Sequence, residues 1–279
     1  MNSDGDLELG SKVASLTYTY PLRDNWSITG SFGVSYSRFV EFQKPAYNFS
    51  FRTLQGLLQL ETTLQESENL TWTAAAAFST NRSDSFKSGR SFPLVSGGGN
   101  DGWSHSGFLK LSTNVGGFTG PLFWNTNAYF SQGIAGVTLD EHLHNLDVAG
   151  IEPGEARAVG ALTDIGLSLS PSTTMNLRFA GQLAFNRLPG SMSFGLGSGI
   201  GLRGLPGSLI AGDSGYLATG EVVWTPWQKD QQRISLIPYL GIGGVHTKFP
   251  DRTLEDSIGV GGLIGRYQNG RWEAELGWV

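Results

Sequence analysis

Few residues in this chain are equipped for chemistry, and most of them are scattered. None of its 279 residues is cysteine, which removes thiolate metal sites, cysteine nucleophiles and disulfides together. Histidine occurs at positions 105, 142, 144 and 246. Asp140-Glu141-His142-Leu143-His144 is the nearest thing to a metal cluster, and on an extended strand His142 and His144 would share a face. That stretch lies in a long polar segment with no further spaced ligands, so no metal is expected. Ser104-His105-Ser106 sets hydroxyls beside an imidazole, but a nucleophile needs its base within hydrogen-bond reach, and such neighbours are ordinary in a serine-rich chain. No enzyme and no cofactor are expected. The glycine-rich stretch 194–215 is no phosphate cradle either, because no Gly-Lys-Ser/Thr follows it and no helix begins there.

The surrounding composition is unusual. Glycine contributes 40 residues, aromatics 11% and charged residues only 15%, against about 25% charged in ordinary domains. A net charge of −5 gives no basic footprint for nucleic acid. No run approaches the roughly 18 apolar residues of a membrane helix. Transmembrane β-barrels and soluble all-β folds both remain.

Hydrophobic periodicity separates them. From Trp26 to Ser37 the even positions are Trp, Ile, Gly, Phe, Val and Tyr, and the odd ones are Ser, Thr or Gly. The same alternation places Met175, Leu177, Phe179 and Leu183 against Asn176, Arg178 and Gln182, and Trp272, Ala274, Leu276 and Trp278 against Arg271, Glu273 and Glu275. About twelve such segments occur, near 12–20, 25–39, 47–62, 69–80, 102–115, 121–132, 160–170, 173–187, 215–227, 232–247, 256–267 and 270–279. Most exceed the 5–6 residues typical of soluble strands and suit the about 9–11 needed to cross a bilayer. Around 52–56 the apolar parity flips, from Phe49 and Phe51 to Leu54, Leu58 and Leu60, which predicts a bulge. Connectors alternate between tight turns and long polar loops at 81–101, 133–159 and 188–214, the arrangement of an outer-membrane barrel. Backbone groups in hydrocarbon must all be paired, so such strands must close on themselves. The fold class expected is therefore an all-β, antiparallel transmembrane β-barrel spanning 1–279.

One loop departs from this pattern. It carries Leu202-Arg203-Gly204-Leu205, then Gly212-Asp213-Ser214-Gly215, then Thr219-Gly220-Glu221. Together these resemble the outer-membrane translocators of two-partner secretion, in the Omp85 superfamily, whose long loop holds a Val-Arg-Gly-aromatic core, a Gly-Asp-x-Gly and a strand with Arg-Asn-Glu. The resemblance implies a loop folded into the barrel lumen, with Arg203 at its tip touching the inner wall and Gly204 and Gly207 easing the backbone. A guanidinium so placed needs a carboxylate. The family's acidic residue falls in an aromatic-x-Asp-x-Gly stretch, and here Pro238-Tyr239-Leu240-Gly241-Ile242-Gly243 has Gly241 at that position. Strand parity offers Glu221, Asp164, Glu273 and Glu275 instead, with Glu221 first because it lies on the strand leaving the loop. Other readings stand beside these: Arg203 as a solvated loop residue, Glu273 and Glu275 as lumen lining, Asp213 as a turn residue.

The resemblance covers the barrel alone. No signal peptide and no periplasmic repeats are legible in the chain. Against a sixteen-stranded family barrel, about three early strands and the last one are expected to be missing. The function implied is secretion of an unfolded partner exoprotein through a barrel embedded in outer-membrane lipid. The alternatives are a passive, porin-like channel, an inactive fragment, or a β-rich binding module.

Overall fold

A computed structural model describes residues 11–41, 47–92, 102–138, 140–197, 199–205, 210–249 and 252–278. Its strands are β1 (Ser11–Arg23), β2 (Trp26–Glu41), β3 (Tyr47–Ser67), β4 (Leu70–Lys87), β5 (Arg90–Ser91), β6 (Trp103–Thr119), β7 (Leu122–Gly133) and β8 (Arg157–Ser170). They continue as β9 (Thr173–Ala184), β10 (Phe194–Leu196), β11 (Ile210–Gly212), β12 (Ser214–Lys229), β13 (Gln232–Lys248), β14 (Thr253–Asn269) and β15 (Trp272–Trp278). Helix α1 (Asp140–Val148) lies between β7 and β8.

Twelve long strands form one antiparallel meander, ordered β1-β2-β3-β4-β6-β7-β8-β9-β12-β13-β14-β15, with β5 as a spur on β4. The short strands β10 and β11 form a separate hairpin. Every second connection is a two-residue turn, at 24–25, 68–69, 120–121, 171–172, 230–231 and 270–271. All six lie at one end of the sheet, and the long loops lie at the other. Among the described residues β1 pairs only with β2 and β15 only with β14, which leaves the sheet two edges.

The alternation decides which way each side chain faces. Phe32, Leu58, Leu111, Leu183, Leu240 and Leu276 are all exposed on the outer face. Their strand neighbours Ser31, Gln59, Lys110, Gln182, Tyr239 and Glu275 face inward. A continuous apolar exterior of this size is a liability in water and a requirement in hydrocarbon.

Strand length explains a parity flip that proved to need no bulge. Pairing of β3 with β2 and β4 runs without interruption through 52–56, and its one irregularity lies between Thr63 and Gln65. β3 has 21 residues, about 70 Å of extended chain at roughly 3.3 Å per residue. It therefore projects beyond any bilayer at the loop end. There Phe49 turns to the inner face and is buried, with the Lys87 ammonium 5.8 Å from its ring centre.

Two further expectations change. The long segment 81–101 is shorter than its polarity suggested, because β4 continues to Lys87. Residues 140–148 are helical, so His142 and His144 are about 200° apart around an axis with 3.6 residues per turn. His142 is buried and His144 exposed, so the two imidazoles do not share a face.

Candidate functional site: an inward loop held on glycine sockets

The segment between β9 and β12 turns back onto the inner face of β9, β12 and β13. Its apolar side chains Phe194, Leu196 and Leu202 are buried with Ala180, Leu217 and Val245. Each rests where the wall has no side chain. A Cβ on Gly215 would lie 2.3 Å from Phe194, one on Gly243 2.8 Å from Leu196, and one on Gly241 2.9 Å from Leu202. Strand glycines thus act as sockets for three loop knobs.

Gly241 occupies the position where the family pattern has aspartate, and the structure gives the physical consequence. Leu202 and the Tyr239 hydroxyl share that space, and the polar contact to the loop comes from Tyr239 two residues earlier. The Tyr239 hydroxyl donates to the Gly201 carbonyl at 2.8 Å and accepts from the Arg203 N–H at 3.2 Å. Arg203 is flanked by Gly201 and Gly204, whose φ values of +132° and +77° are ones that side chains resist. Gly207 lies outside the described residues. Leu205, just beyond Gly204, packs against the buried cluster from its edge.

The Arg203 guanidinium donates through Nη2 to Glu221 Oε2 at 2.9 Å, and its Nη1 stands 3.9 Å from Glu275 Oε2. Glu221 Oε1 also accepts from Asn176 Nδ2 at 3.2 Å. Asp164 is engaged elsewhere: Arg178 grips it in a fork, Nε to Oδ1 at 2.6 Å and Nη2 to Oδ2 at 3.2 Å. Glu273 and Glu275 both face Arg266, at 3.2 Å and 2.6 Å from its Nε. The loop tip and the wall border an open cavity of about 480 Å³ lined by Asp164, Asn176, Arg178, Arg203, Glu221 and Tyr239.

Asp213 is more than a turn residue. It is buried, its Oδ1 accepts the Leu188 N–H at 3.1 Å, and its Oδ2 lies 3.8 Å from Arg187 Nε. Burial pushes its carboxyl above the usual aspartate range, against the opposing pull of the Leu188 N–H and of Arg187 and His246. Gly212, just before it, closes the short ladder opposite Phe194. Its position is tight as well, since a Cβ there would come 2.9 Å from Val245. Gln182 completes this base. Its amide donates to the carbonyls of Met192 (2.9 Å) and Asp213 (2.8 Å), and its carbonyl accepts from the Tyr129 hydroxyl at 2.7 Å.

Sequence reasoning missed Tyr239, Gln182 and Arg178 as loop anchors, the last through its Nη1, which donates to the Ile200 carbonyl at 3.3 Å. Arg178 was legible in principle, because parity turns both it and Asp164 inward on adjacent strands, where they pair directly. Tyr239 was hidden, since its parity says only that it faces the lumen. The serines beside His105 do not meet its ring: Ser106 bonds Ser191 at 2.7 Å on the inner face, and His105 Nε2 bonds Thr80 Oγ1 at 3.0 Å.

A meander of long strands, apolar outside and polar inside, with short turns at one end and an inward loop from the other, defines the outer-membrane β-barrel fold. Solved structures share this fold. CdiB from Escherichia coli superposes with a TM-score of 0.81 at 12% identity, over 99% of this chain and 50% of that one. CdiB from Acinetobacter baumannii gives 0.65 at 14% identity, covering 96% and 50%. BamA from Haemophilus ducreyi, solved without its POTRA domains 1–3, gives 0.56 at 14% identity, covering 96% and 58%. The chain therefore spans about half the length of these structures. Its sequence matches no family model and no curated protein.

Proposed function

We propose that this chain is the barrel of an outer-membrane protein translocator of the two-partner secretion type, carrying an unfolded exoprotein across the membrane without nucleotide hydrolysis. The observation that carries the reading is the Arg203 loop, seated in the lumen and joined to the wall through Glu221. Support comes from the loop motifs and from a fold shared with CdiB from Escherichia coli. A polar inner wall of Ser, Thr, Asn and Gln offers a passing chain's backbone replacement hydrogen bonds without apolar surfaces to trap it.

In this mechanism the loop is a movable obstruction. Arg203 exchanges its bond to Glu221 for water or for the substrate as the conduit opens. Glu221 keeps Asn176 as a partner throughout, so its charge is never left bare. The test is Arg203→Ala in cells that secrete the exoprotein. Release should fall several-fold at equal outer-membrane protein level, and unchanged release would refute the role of the loop. Conductance in planar bilayers with no exoprotein released by the wild type would favour a passive channel.

A further inference from the structure

The outer face carries a feature that translocation does not use. On β1, β2, β3, β4 and β6, two neighbouring rows of the sheet run Lys12–Tyr36–Arg52–Asp84–Trp103 and Ala14–Val34–Leu54–Arg82–His105. Parity turns all of these outward, on the same face as Phe32, Leu58 and Leu109 below them. Lys12, Arg52 and Arg82 are exposed. Asp84, the carboxylate of these rows, stands opposite Arg52 and is buried at 1% relative exposure, so the three cations and not the carboxylate are open to an approaching ligand.

The cations border the apolar rows of the outer wall on its loop side. Arg82 Cζ lies 3.4 Å from the Trp103 ring centre and Arg52 Cζ 5.5 Å from that of Phe86, so each guanidinium has an aromatic ring within cation–π range. Aromatics at this level mark the headgroup zone of a barrel. On the opposite flank a carboxylate stands exposed among the basic groups: on β13 and β14 His246 pairs with Glu255 at 3.1 Å, with Lys248 two residues on.

The geometry points to a binding site on this flank for the phosphate-bearing headgroup of an anionic membrane lipid, with its acyl chains lying along Val34, Leu54 and Leu109. Charge complementarity selects the headgroup, since flat guanidinium groups fork onto phosphate oxygens. Continuity with the apolar wall selects a lipid over a free anion. The inference rests on the membrane reading of the outer face but is independent of protein secretion.

Native mass spectrometry of the refolded chain in neutral detergent tests it, with phosphatidylglycerol, phosphatidylcholine and inorganic phosphate as probes. Phosphatidylglycerol should bind selectively and weaken with added salt. K12Q/R52Q/R82Q should lose on the order of a hundredfold in affinity, at about a factor of five per charge. The control K229Q/R233Q, at the short-turn end, should lose little. Equal binding of the two lipids, an equal loss in both variants, or inorganic phosphate competing as well as lipid would each overturn the site. The wild-type salt dependence decides the matter even if the triple variant misfolds, and a salt-independent preference overturns it. A chain that enters no bilayer overturns the membrane reading with it, whereas insertion without lipid preference overturns this inference alone.

Discussion

At the scale of single residues, the loop is held more by its knobs than by its charge. Burying a leucine or phenylalanine contributes about 1.5–3 kcal/mol, while an ion pair reached by water contributes about 0–1 kcal/mol. Arg203 and Glu221 are each partly solvated, and Leu202 is fully buried. Leu202→Ala should therefore loosen the loop by about 2–5 kcal/mol, seen as faster hydrogen exchange at 199–205. Tyr239→Phe removes one donated and one accepted bond and should cost about 1–3 kcal/mol by the same measurement. Arg203→Ala should leave exchange nearly unchanged. An Arg203 variant as loose as Leu202→Ala would show that the ion pair is the anchor, and the division between seating and switching would fail.

At the scale of elements, the hairpin β10–β11 and the wall are matched through absent side chains. Gly243→Val and Gly215→Val should expel the hairpin, because their new atoms would overlap Leu196 and Phe194. Planar-bilayer conductance should rise in both variants and should not change in Gly30→Val, where nothing lies within 4 Å of the added Cβ. Conductance unchanged at Gly243 would mean that the hairpin does not fill the lumen. The twelve strands were legible in sequence because each one repeats a simple two-residue period. Leu202 beside Gly241 was not legible, because such a match belongs to two segments about forty residues apart. Helix α1 was obscured for a different reason: Asp140–Val148 is short and polar, with no apolar stripe to announce a helix.

At the scale of the whole molecule, the apolar exterior sets the behaviour of the chain outside a membrane. Refolded into detergent, it should migrate faster on a gel before heating than after. Brominated lipids should quench the outward Trp72 and Trp224. Absence of both effects would contradict a bilayer-facing outer wall.

The irregular pairings have a consequence for how such a chain tolerates change in length. Register shifts fall between Pro21 and Arg23, Thr63 and Gln65, Ser168 and Ser170, and Trp224 and Trp227, all at the short-turn end. In the first three the residue passed over is a leucine, Leu22, Leu64 or Leu169, and each is exposed. A deletion in mid-strand, at Leu57 for example, would exchange lipid-facing and lumen-facing residues along the rest of β3. Deleting Leu64 would merely restore an unbroken ladder beside a turn where water can satisfy any freed amide. Insertions and deletions should therefore accumulate beside the tight turns, making that rim the hinge on which strand length can drift while the faces of the sheet stay fixed.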